Sequence, residues 1–413
     1  MFPSEEKPPL PPFAPGRVLA DIGSVQLTNG FIGWVFSASA PVAIILAMGT
    51  QGGLDEPRLA SWIFGVFFVN GLLTIALSWL YREPVAIAWT IPGTVLVGPA
   101  LAHAGIAEVV GAYCVTAVIL IGLGLSGWVR RAMKAVPMPI VMGMVAGVFL
   151  RFGLDLVRSL AGDPIVAMPM VAVWIVLTVS PVAARHMPPI IGALLAGVVA
   201  AVALGRFDGA LPASIEIVRP VLQTPAFSWT TLVELVVPLG ITVLVVQNAQ
   251  GFAVLRNAGH TPPIDVITVV SGLGSLAAAA VGAVSSCLAG PTNAILTSSG
   301  PRERHYAAAI AYGAIGVVFA TVAPALTHVL LAAPKAFIAT LAGLAMIRVL
   351  QAAFVGSFKG ALSFGALVCF LVTVADIAVL GIGAPFWGMI AGLAASWLLE
   401  RDDLRSLAHA AAK

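Results

Sequence analysis

The sequence predicts an all-α polytopic membrane protein with fourteen transmembrane segments in two inverted seven-segment repeats. Three observations carry this prediction: the excess of apolar residues, the distribution of basic residues, and landmarks that recur at one offset. The chain has 413 residues, of which 60% are hydrophobic and 9% are charged. A soluble domain carries about 25% charged residues, so the apolar excess must face lipid.

The number and orientation of the segments follow from apolar runs and from charge. A helix needs about 20 apolar residues to cross the hydrocarbon core. Fourteen runs approach that length, and the third (85–104) and tenth (285–300) are the weakest as continuous helices. If both termini are cytoplasmic, 15 of the 21 Lys and Arg residues fall on the cytoplasmic side and 6 on the far side. This bias favours an even number of segments with both ends inside.

Landmarks recur between the two halves of the chain. The pairs are Pro41 with Pro238, Pro92 with Pro291, and Ala146-Gly147 with Ala342-Gly343, at offsets of 197, 199 and 196 residues. A repeat with an odd number of segments inserts its second copy upside down. Arg151 and Arg348, which follow the Ala-Gly pairs, are therefore expected on opposite sides of the membrane. Inverted repeats are typical of secondary transporters and less expected in a channel.

The domain boundaries follow from the same count. Residues 1–27 form a cytoplasmic N-terminal segment, 28–205 the first repeat, 206–230 the inter-repeat linker, 231–399 the second repeat and 400–413 a cytoplasmic C-terminal tail. No cofactor, metal site or nucleic-acid partner is predicted. The segments contain no His/Glu metal motif and no Ser/Lys pair at catalytic spacing, so an enzyme is not expected.

The third and tenth segments share one plan: an extended stretch, a proline-glycine break and a half-helix. Pro92-Gly93 interrupts the third segment, and Gly290-Pro291 interrupts the tenth. Non-helical backbone at membrane depth persists only where it is buried in protein or lines a cavity. Free N–H groups and the positive dipole end of each half-helix predict an anion site that needs no buried Lys or Arg. The alternative is a pair of ordinary proline kinks with capping residues.

Polar side chains at similar depth are the candidate ligands. Pro41 has no N–H, so the carbonyl of Ser37 loses its helical donor. Gln247 and Asn248 interrupt an aliphatic run, where an unpaired amide is costly to bury; a role in joining helices is the alternative for both. The predicted substrate-binding residues are Ser37, Ser39, Trp89, Thr90, Thr94, Gln247, Asn248, Thr292 and Asn293.

Three stretches of the sequence resemble the benzoate/proton symporter family. They are QNAQGFAVLRNAGHTPP (247–263), MVAGVFLRFGL (144–154) and GIGAPFWG (381–388). That family is related to the uracil-permease and sulfate-permease fold. The resemblance implies a core domain from segments 1–4 and 8–11, and a gate domain from segments 5–7 and 12–14 that is often dimeric. It also implies short strands in segments three and ten that meet at the site.

The resemblance has departures at the site itself. Uracil-permease relatives carry carboxylates in segments eight and ten, where this chain has amides and a hydroxyl. The benzoate family tends to show a His and an Asn before the second half-helix, and this chain has Ser285, Ser286 and Cys287 there. These departures bear on the substrate and not on the fold.

The function implied by the resemblance is proton-coupled uptake of benzoate or a similar small aromatic carboxylate. The expected carrier is a homodimer in the bacterial inner membrane that works by an elevator-like mechanism. The substrate ring would pack on apolar groups such as Phe36 and Trp89. The alternatives are another small anion or a nucleobase carried by the same fold, or an anion channel.

Proton coupling requires a group that titrates during the transport cycle. Asp376 in the thirteenth segment is the predicted candidate, because an ionisable residue inside a membrane segment is a functional candidate by default. His328 and Glu234 are weaker candidates because they fall near segment ends. A helix-packing role is the alternative for Asp376. The proton could also travel on the substrate as a neutral aromatic acid.

Overall fold

A computed structural model describes residues 6–8, 14–135, 137–180, 187–206, 216–377, 379–380 and 382–404. Within these ranges the chain is mainly helical and contains two strands of three residues each. Parts of the predicted N-terminal segment, the inter-repeat linker and the C-terminal tail lie outside the described residues.

The elements follow each other in the order that the hydropathy pattern predicts. In the first half they are α1 (Pro15–Asp21), α2 (Ser24–Ala38), α3 (Ala40–Gln51), α4 (Glu56–Tyr81), β1 (Ile87–Trp89), α5 (Ile91–Leu101), α6 (Ile106–Ser126), α7 (Val129–Ala135), α8 (Met138–Gly162), α9 (Pro164–Val179) and α10 (Pro189–Ala203). In the second half they are α11 (Trp229–Ile241), a π-helix (Thr242–Asn248), α12 (Ala249–Asn257), α13 (Ile264–Ala279), β2 (Ser286–Leu288), α14 (Gly290–Leu296), a 3₁₀ turn (Arg302–Arg304), α15 (His305–Ala320), α16 (Ala323–Leu331), α17 (Lys335–Phe358), α18 (Ser363–Ala375) and α19 (Ala384–Leu399).

The helices differ in whether they can cross a membrane alone. Among the described residues, six helical stretches are long and apolar enough to do so. They are Ser24–Gln51, Glu56–Tyr81, Ile106–Ser126, Met138–Gly162, Trp229–Asn257 and Lys335–Phe358. Arg302–Ala320 and Ala323–Leu331 meet this criterion only as a pair, and the pair is bent by 73° at the break between them. Six other apolar helices have only 10–17 residues. Several of the predicted segments are therefore shorter than a straight membrane-crossing helix.

The two strands pair with each other in antiparallel orientation in the interior of the bundle. The register pairs Ile87 with Leu288, Ala88 with Cys287 and Trp89 with Ser286. All six strand residues are buried. A half-helix follows each strand, α5 after β1 and α14 after β2. The extended stretches predicted in segments three and ten are therefore present, and they meet.

Side chains of neighbouring helices satisfy the outer edges of the strand pair. The Thr74 hydroxyl in α4 accepts the N–H of Ile87 at 2.9 Å and donates to the carbonyl of Ile87 at 3.2 Å. The Ser275 hydroxyl in α13 accepts the N–H of Ser286 at 2.9 Å. A two-stranded ribbon has two open edges, and unpaired backbone groups in a dry interior are costly. These hydroxyls therefore allow so small a sheet to exist at this depth.

The Ala-Gly landmarks mark places where helices approach closely. A Cβ added at Gly147 in α8 would lie 2.7 Å from the Cβ of Thr373 in α18. A Cβ added at Gly343 in α17 would lie 2.6 Å from the Cβ of Leu156 in α8. Small residues permit such approach between membrane helices, where packing replaces the hydrophobic effect as the driving force. The repetition of these pairs in both halves has this packing as its physical reason.

The helices pack as two groups. One group contains α8, α9, α10, α17, α18 and α19, which pack mainly against each other. The other contains α2 to α6 and α11 to α16 with both strands. The groups meet along α3 with α17, α5 with α8, and α11 with α19. The strand pair thus belongs to one group and faces the other.

Thr74→Val is expected to lower the melting temperature of the detergent-solubilised protein. The substitution keeps the side-chain shape but leaves the buried N–H of Ile87 without an acceptor, which costs about 1–3 kcal/mol. Thr116→Val in α6 is the matched control, because the buried Thr116 hydroxyl only donates to the carbonyl of Ala112 in its own helix at 2.8 Å. Equal losses for the two variants would contradict this account of the strand edge.

Candidate substrate-binding site

A cavity of about 270 Å³ lies beside the strand pair, where both half-helices begin. Its walls are mostly apolar and aromatic, with few polar groups. The lining includes Phe36, Trp89, Pro92, Phe149, Pro291 and Met346, and the polar side chains Ser37, Gln247, Gln250, Thr292 and Arg348. Apolar walls with a few convergent polar groups are the usual composition of a small-molecule site.

Four of the nine predicted substrate-binding residues line this cavity. They are Ser37, Trp89, Gln247 and Thr292. The other five are Ser39, Thr90, Thr94, Asn248 and Asn293, and their polar atoms hold the surrounding backbone in place. The structure therefore separates groups that face the cavity from groups that build it.

Thr90 and Thr94 fix the start of α5. Thr90 is the N-cap, and its hydroxyl accepts the N–H of Gly93 at 3.1 Å. The hydroxyl of Thr94 donates to the carbonyl of Thr90 at 2.9 Å. The Thr90 hydroxyl also lies 3.2 Å from that of Thr242 in the π-helix. An N-cap of this kind stabilises a helix by about 1 kcal/mol, and here it sets the direction of α5.

Asn248 and Asn293 anchor the two strands in a similar way. The Oδ1 atom of Asn248 accepts the N–H of Leu288 at 2.7 Å, and the Oδ1 atom of Asn293 accepts the N–H of Ala86 at 3.0 Å. The Nδ2 atom of Asn293 donates to the carbonyl of Ala289 at 2.8 Å. The Nδ2 atom of Asn248 is buried without a hydrogen-bond partner in the described part of the chain. Both amides therefore replace strand neighbours that so small a sheet lacks.

The π-helix explains how adjacent amides serve different purposes. Its wider turn spans Thr242–Asn248 and joins α11 to α12. Gln247 lines the cavity, whereas Asn248 contacts the edge of β2. Insertions of this type within α-helices occur frequently at functional sites.

The start of α14 is built around the hydroxyl of Tyr312. The Ser37 hydroxyl lies 3.2 Å from it, and Thr292 is a second hydrogen-bonding partner. Ser39, at the break between α2 and α3, donates its hydroxyl to the carbonyl of Phe36 at 3.1 Å. Because α14 has only seven residues, its helix dipole is small. The two half-helices therefore do not present equal dipoles to an anion.

Arg348 is a cavity residue that the sequence argument used only as a repeat landmark. It lies on α17 at the edge of the cavity, is exposed, and donates from Nη1 to the Oε1 atom of Gln351 at 3.0 Å. The sequence predicted an anion site that needs no buried Lys or Arg, and the predicted substrate-binding residues did not include this exposed guanidinium. The signal in the sequence was its matched position with Arg151 in the first half of the chain.

Arg151 and Asp376 lie on the other side of α5. Arg151 donates from Nη2 to the carbonyl of Val95 in α5 at 3.1 Å. Asp376 ends α18 with a positive φ of 52° and is exposed. Both line a second cavity of about 350 Å³. Asp376, which the sequence placed inside the thirteenth segment, thus lies directly after the last residue of α18, Ala375.

A bundle of apolar helices, two half-helices that follow paired strands, and a small apolar cavity at the breaks define a multi-pass integral membrane transporter rather than an enzyme. The chain belongs to the family of benzoate membrane transport proteins, whose family model matches residues 20–398. The resemblance inferred from three short stretches is therefore confirmed.

Two relatives match nearly the whole chain. The inner membrane protein YdcO of Escherichia coli K12 is 30% identical over 385 residues, which cover 91% of this chain and 95% of the relative. The benzoate membrane transport protein of Acinetobacter baylyi is 29% identical over 384 residues, which cover 90% of this chain and 94% of the relative.

Solved structures of anion transporters share the fold. The transmembrane domain of the cyanobacterial bicarbonate transporter BicA matches with a TM-score of 0.58 at 17% identity, over 89% of this chain and 97% of that one. SLC26A9 matches with a TM-score of 0.63 at 15% identity, over 90% of this chain and 64% of that one. At these identities the likeness extends to the fold alone.

Asn248→Ala and Asn293→Ala are expected to destabilise the protein, whereas Gln247→Ala is not. Asn248→Ala leaves the N–H of Leu288 in β2 without its acceptor, and Asn293→Ala does the same for the N–H of Ala86, directly before β1. Each loss costs about 1–3 kcal/mol. Melting temperatures of the three purified variants in one detergent test this difference. A loss of stability for Gln247→Ala equal to that of the asparagine variants would contradict the separation of lining from building residues.

Proposed function

We propose that this protein is a secondary active transporter that takes up benzoate or a similar small aromatic carboxylate together with protons. The observation that supports this most is the lining of one cavity, which combines aromatic walls with the amide of Gln247 and the guanidinium of Arg348. The chain's family is that of benzoate membrane transport proteins, and its relative in Acinetobacter baylyi is a benzoate membrane transport protein; both support the same substrate class.

The chemistry of the cavity suits an aromatic acid. Phe36, Trp89 and Phe149 offer faces and edges on which an aromatic ring packs favourably. The planar guanidinium of Arg348 pairs with a carboxylate through two parallel hydrogen bonds. Thr292, at the start of α14, adds a hydroxyl to the lining of the same cavity. Gln247 adds an amide donor between these groups.

We propose that the fourteen segments form two inverted repeats. Strand contacts made by equivalent helices support this: Thr74 of α4 holds Ile87 in β1, and Ser275 of α13 holds Ser286 in β2. The residues of the second contact follow those of the first at nearly the same offset as the proline landmarks. The number of segments is in line with this proposal when the two half-helices and the bent α15–α16 pair are counted together with the other apolar helices.

The two packing groups support a core domain and a gate domain with the segments that the sequence assigned to each. The cavity lies between them, because Trp89, Gln247 and Thr292 belong to one group and Phe149 and Arg348 to the other. Sliding of the core past the gate would carry the substrate from the Arg151 side, which faces outward when both termini are cytoplasmic, towards the Arg348 side. This is the elevator-like motion proposed here.

Several further properties belong to the same proposal. The carrier lies in the bacterial inner membrane, as the inner membrane protein YdcO of Escherichia coli does. It is a homodimer, and both termini of each subunit are cytoplasmic. Another small anion is the second candidate substrate, because BicA, a bicarbonate transporter, shares this fold. The aromatic walls of the cavity favour an aromatic acid over such an inorganic ion.

Uptake of labelled benzoate into proteoliposomes under an inward proton gradient tests the proposed function directly. We expect accumulation above equilibrium that collapses when a protonophore dissipates the gradient. Uptake of bicarbonate, sulfate or uracil without benzoate uptake would contradict the substrate assignment. Flux that far exceeds carrier turnover, with no accumulation, would favour a channel.

Arg348→Gln is expected to weaken benzoate binding by roughly 10- to 100-fold, since a hydrogen bond to a charged group contributes about 1.5–3 kcal/mol. Gln247→Ala is expected to weaken binding more than Asp376→Asn, because only Gln247 lines the cavity. Isothermal titration with benzoate measures each affinity. Arg401→Gln is the control, as Arg401 lies against Trp397 at the end of α19; an equal loss there would contradict the assignment of Arg348.

A further inference from the structure

Three titratable side chains form a buried chain at one end of the bundle, apart from the substrate cavity. Glu83 follows α4, His260 follows α12 and His305 begins α15. The histidines are 4% and 5% exposed. The Nε2 atom of His260 lies 3.0 Å from the Nδ1 atom of His305, and the Nε2 atom of His305 lies 3.0 Å from the carbonyl oxygen of Gly300.

The third link joins His260 to Glu83. The Nδ1 atom of His260 makes an ion-pair contact with the Oε2 atom of Glu83, although Oε2 accepts no hydrogen bond of regular geometry. The other carboxylate oxygen, Oε1, accepts from the N–H of Thr261 at 3.3 Å. The order of the chain is therefore carboxylate, imidazole, imidazole and carbonyl.

Counting hydrogens along this chain gives its proton content. The Gly300 carbonyl only accepts, so Nε2 of His305 carries hydrogen. If His305 is neutral, its Nδ1 is an acceptor, and His260 must then donate from Nε2. A neutral His260 would in that case turn the lone pair of Nδ1 towards the Glu83 carboxylate, which is repulsive. One additional proton, on any of the three residues, removes this conflict.

Charged side chains surround the chain of Glu83, His260 and His305. The recess beside it is lined by Arg17, Asp21, Arg82, Arg302, Glu303 and Arg304 in addition to Glu83 and His260. Arg302 packs against Gly259, next to His260. Four arginines against two further acids oppose a second additional proton. With one proton, the chain of Glu83, His260 and His305 is neutral overall and can remain buried.

Both histidines are connected to the substrate cavity through short segments. The π-helix and α12 lead from Gln247 in the cavity wall to His260. The half-helix α14 leads from Thr292, a second cavity residue of the same helix group, to Gly300 and His305. The two segments that carry these cavity residues therefore also position the two histidines.

We propose that Glu83, His260 and His305 form the site that binds the co-transported proton, and that α12 and α14 couple its occupancy to the substrate cavity. This inference rests on the proposed function, from which it takes the coupling of substrate to protons. The recess beside the site exposes it to water, so the proton can exchange with the adjoining solution. Asp376 lies at another end of the bundle and has no part in this site.

Glu83→Gln tests the proposal, because the amide supplies the hydrogen that a protonated Glu83 would supply and cannot release it. We expect this variant to exchange labelled for unlabelled benzoate within about twofold of the wild-type rate. Accumulation driven by an inward proton gradient should fall at least about tenfold, which corresponds to the loss of about 1.4 kcal/mol or more of coupling free energy.

The controls are two substitutions of the same kind elsewhere. Glu56→Gln alters a surface carboxylate that pairs with His328 at 3.1 Å, and Asp376→Asn alters the acid that the sequence predicted. We expect both to retain gradient-driven accumulation. Retention of accumulation by Glu83→Gln would overturn the proton site and leave the proposed function standing. Loss of accumulation in Asp376→Asn alone would also overturn it.

A measurement that needs no transport separates the two proposals. Nitrogen-15 NMR of histidine-labelled protein, assigned with His260→Gln and His305→Gln, counts the protons on this pair. We expect the wild-type chain to release one proton in a single step as pH rises, and Glu83→Gln to show no such step. An ionised Glu83 beside two neutral rings in the wild type at neutral pH, with the Glu83 carboxyl followed by carbon-13 NMR, would overturn the site. If the wild type releases one proton in a single step but shows no gradient-driven uptake, the three residues bind a proton and the proposed function is refuted.

Discussion

The need to hydrogen-bond interrupted backbone inside a membrane governs this structure. Two segments leave the helical path at the centre of the bundle, where water cannot satisfy the freed N–H and C=O groups. The chain meets this need by pairing β1 with β2, and by placing Thr74, Ser275, Asn248 and Asn293 at the open edges. These contacts fix where each half-helix begins, and the cavity forms at those two starts.

Most polar groups near the cavity are therefore occupied by the fold. Thr90, Asn248 and Asn293 bond to backbone atoms, which leaves few groups free for a ligand. Gln247 and Arg348 come from different helix groups and reach the cavity from opposite walls. Recognition thus depends on a small number of side chains, and their separation depends on how the two groups are arranged.

The sequence was sufficient to predict the broken segments, because proline, glycine and β-branched residues interrupt two apolar runs. It also identified four cavity residues among nine. It could not distinguish Gln247 from Asn248, since the difference arises from the wider turn of the π-helix. Arg348 was not among the predicted substrate-binding residues, because exposure at the edge of a cavity is a property of packing. The hydropathy of the thirteenth segment also did not show that α18 ends directly before Asp376.

The strand pair also has a consequence for how the protein is made. Strand β1 begins at Ile87 and its partner β2 begins at Ser286. At a synthesis rate of about 5–20 residues per second, the ribosome needs roughly 10–40 s to complete the partner after β1 has emerged. During that interval Thr74, in the adjacent helix, is available to β1, but the other edge of the strand is open. The nascent third segment must therefore wait in a protected environment, such as the insertion machinery or a neighbouring helix, before the core can close.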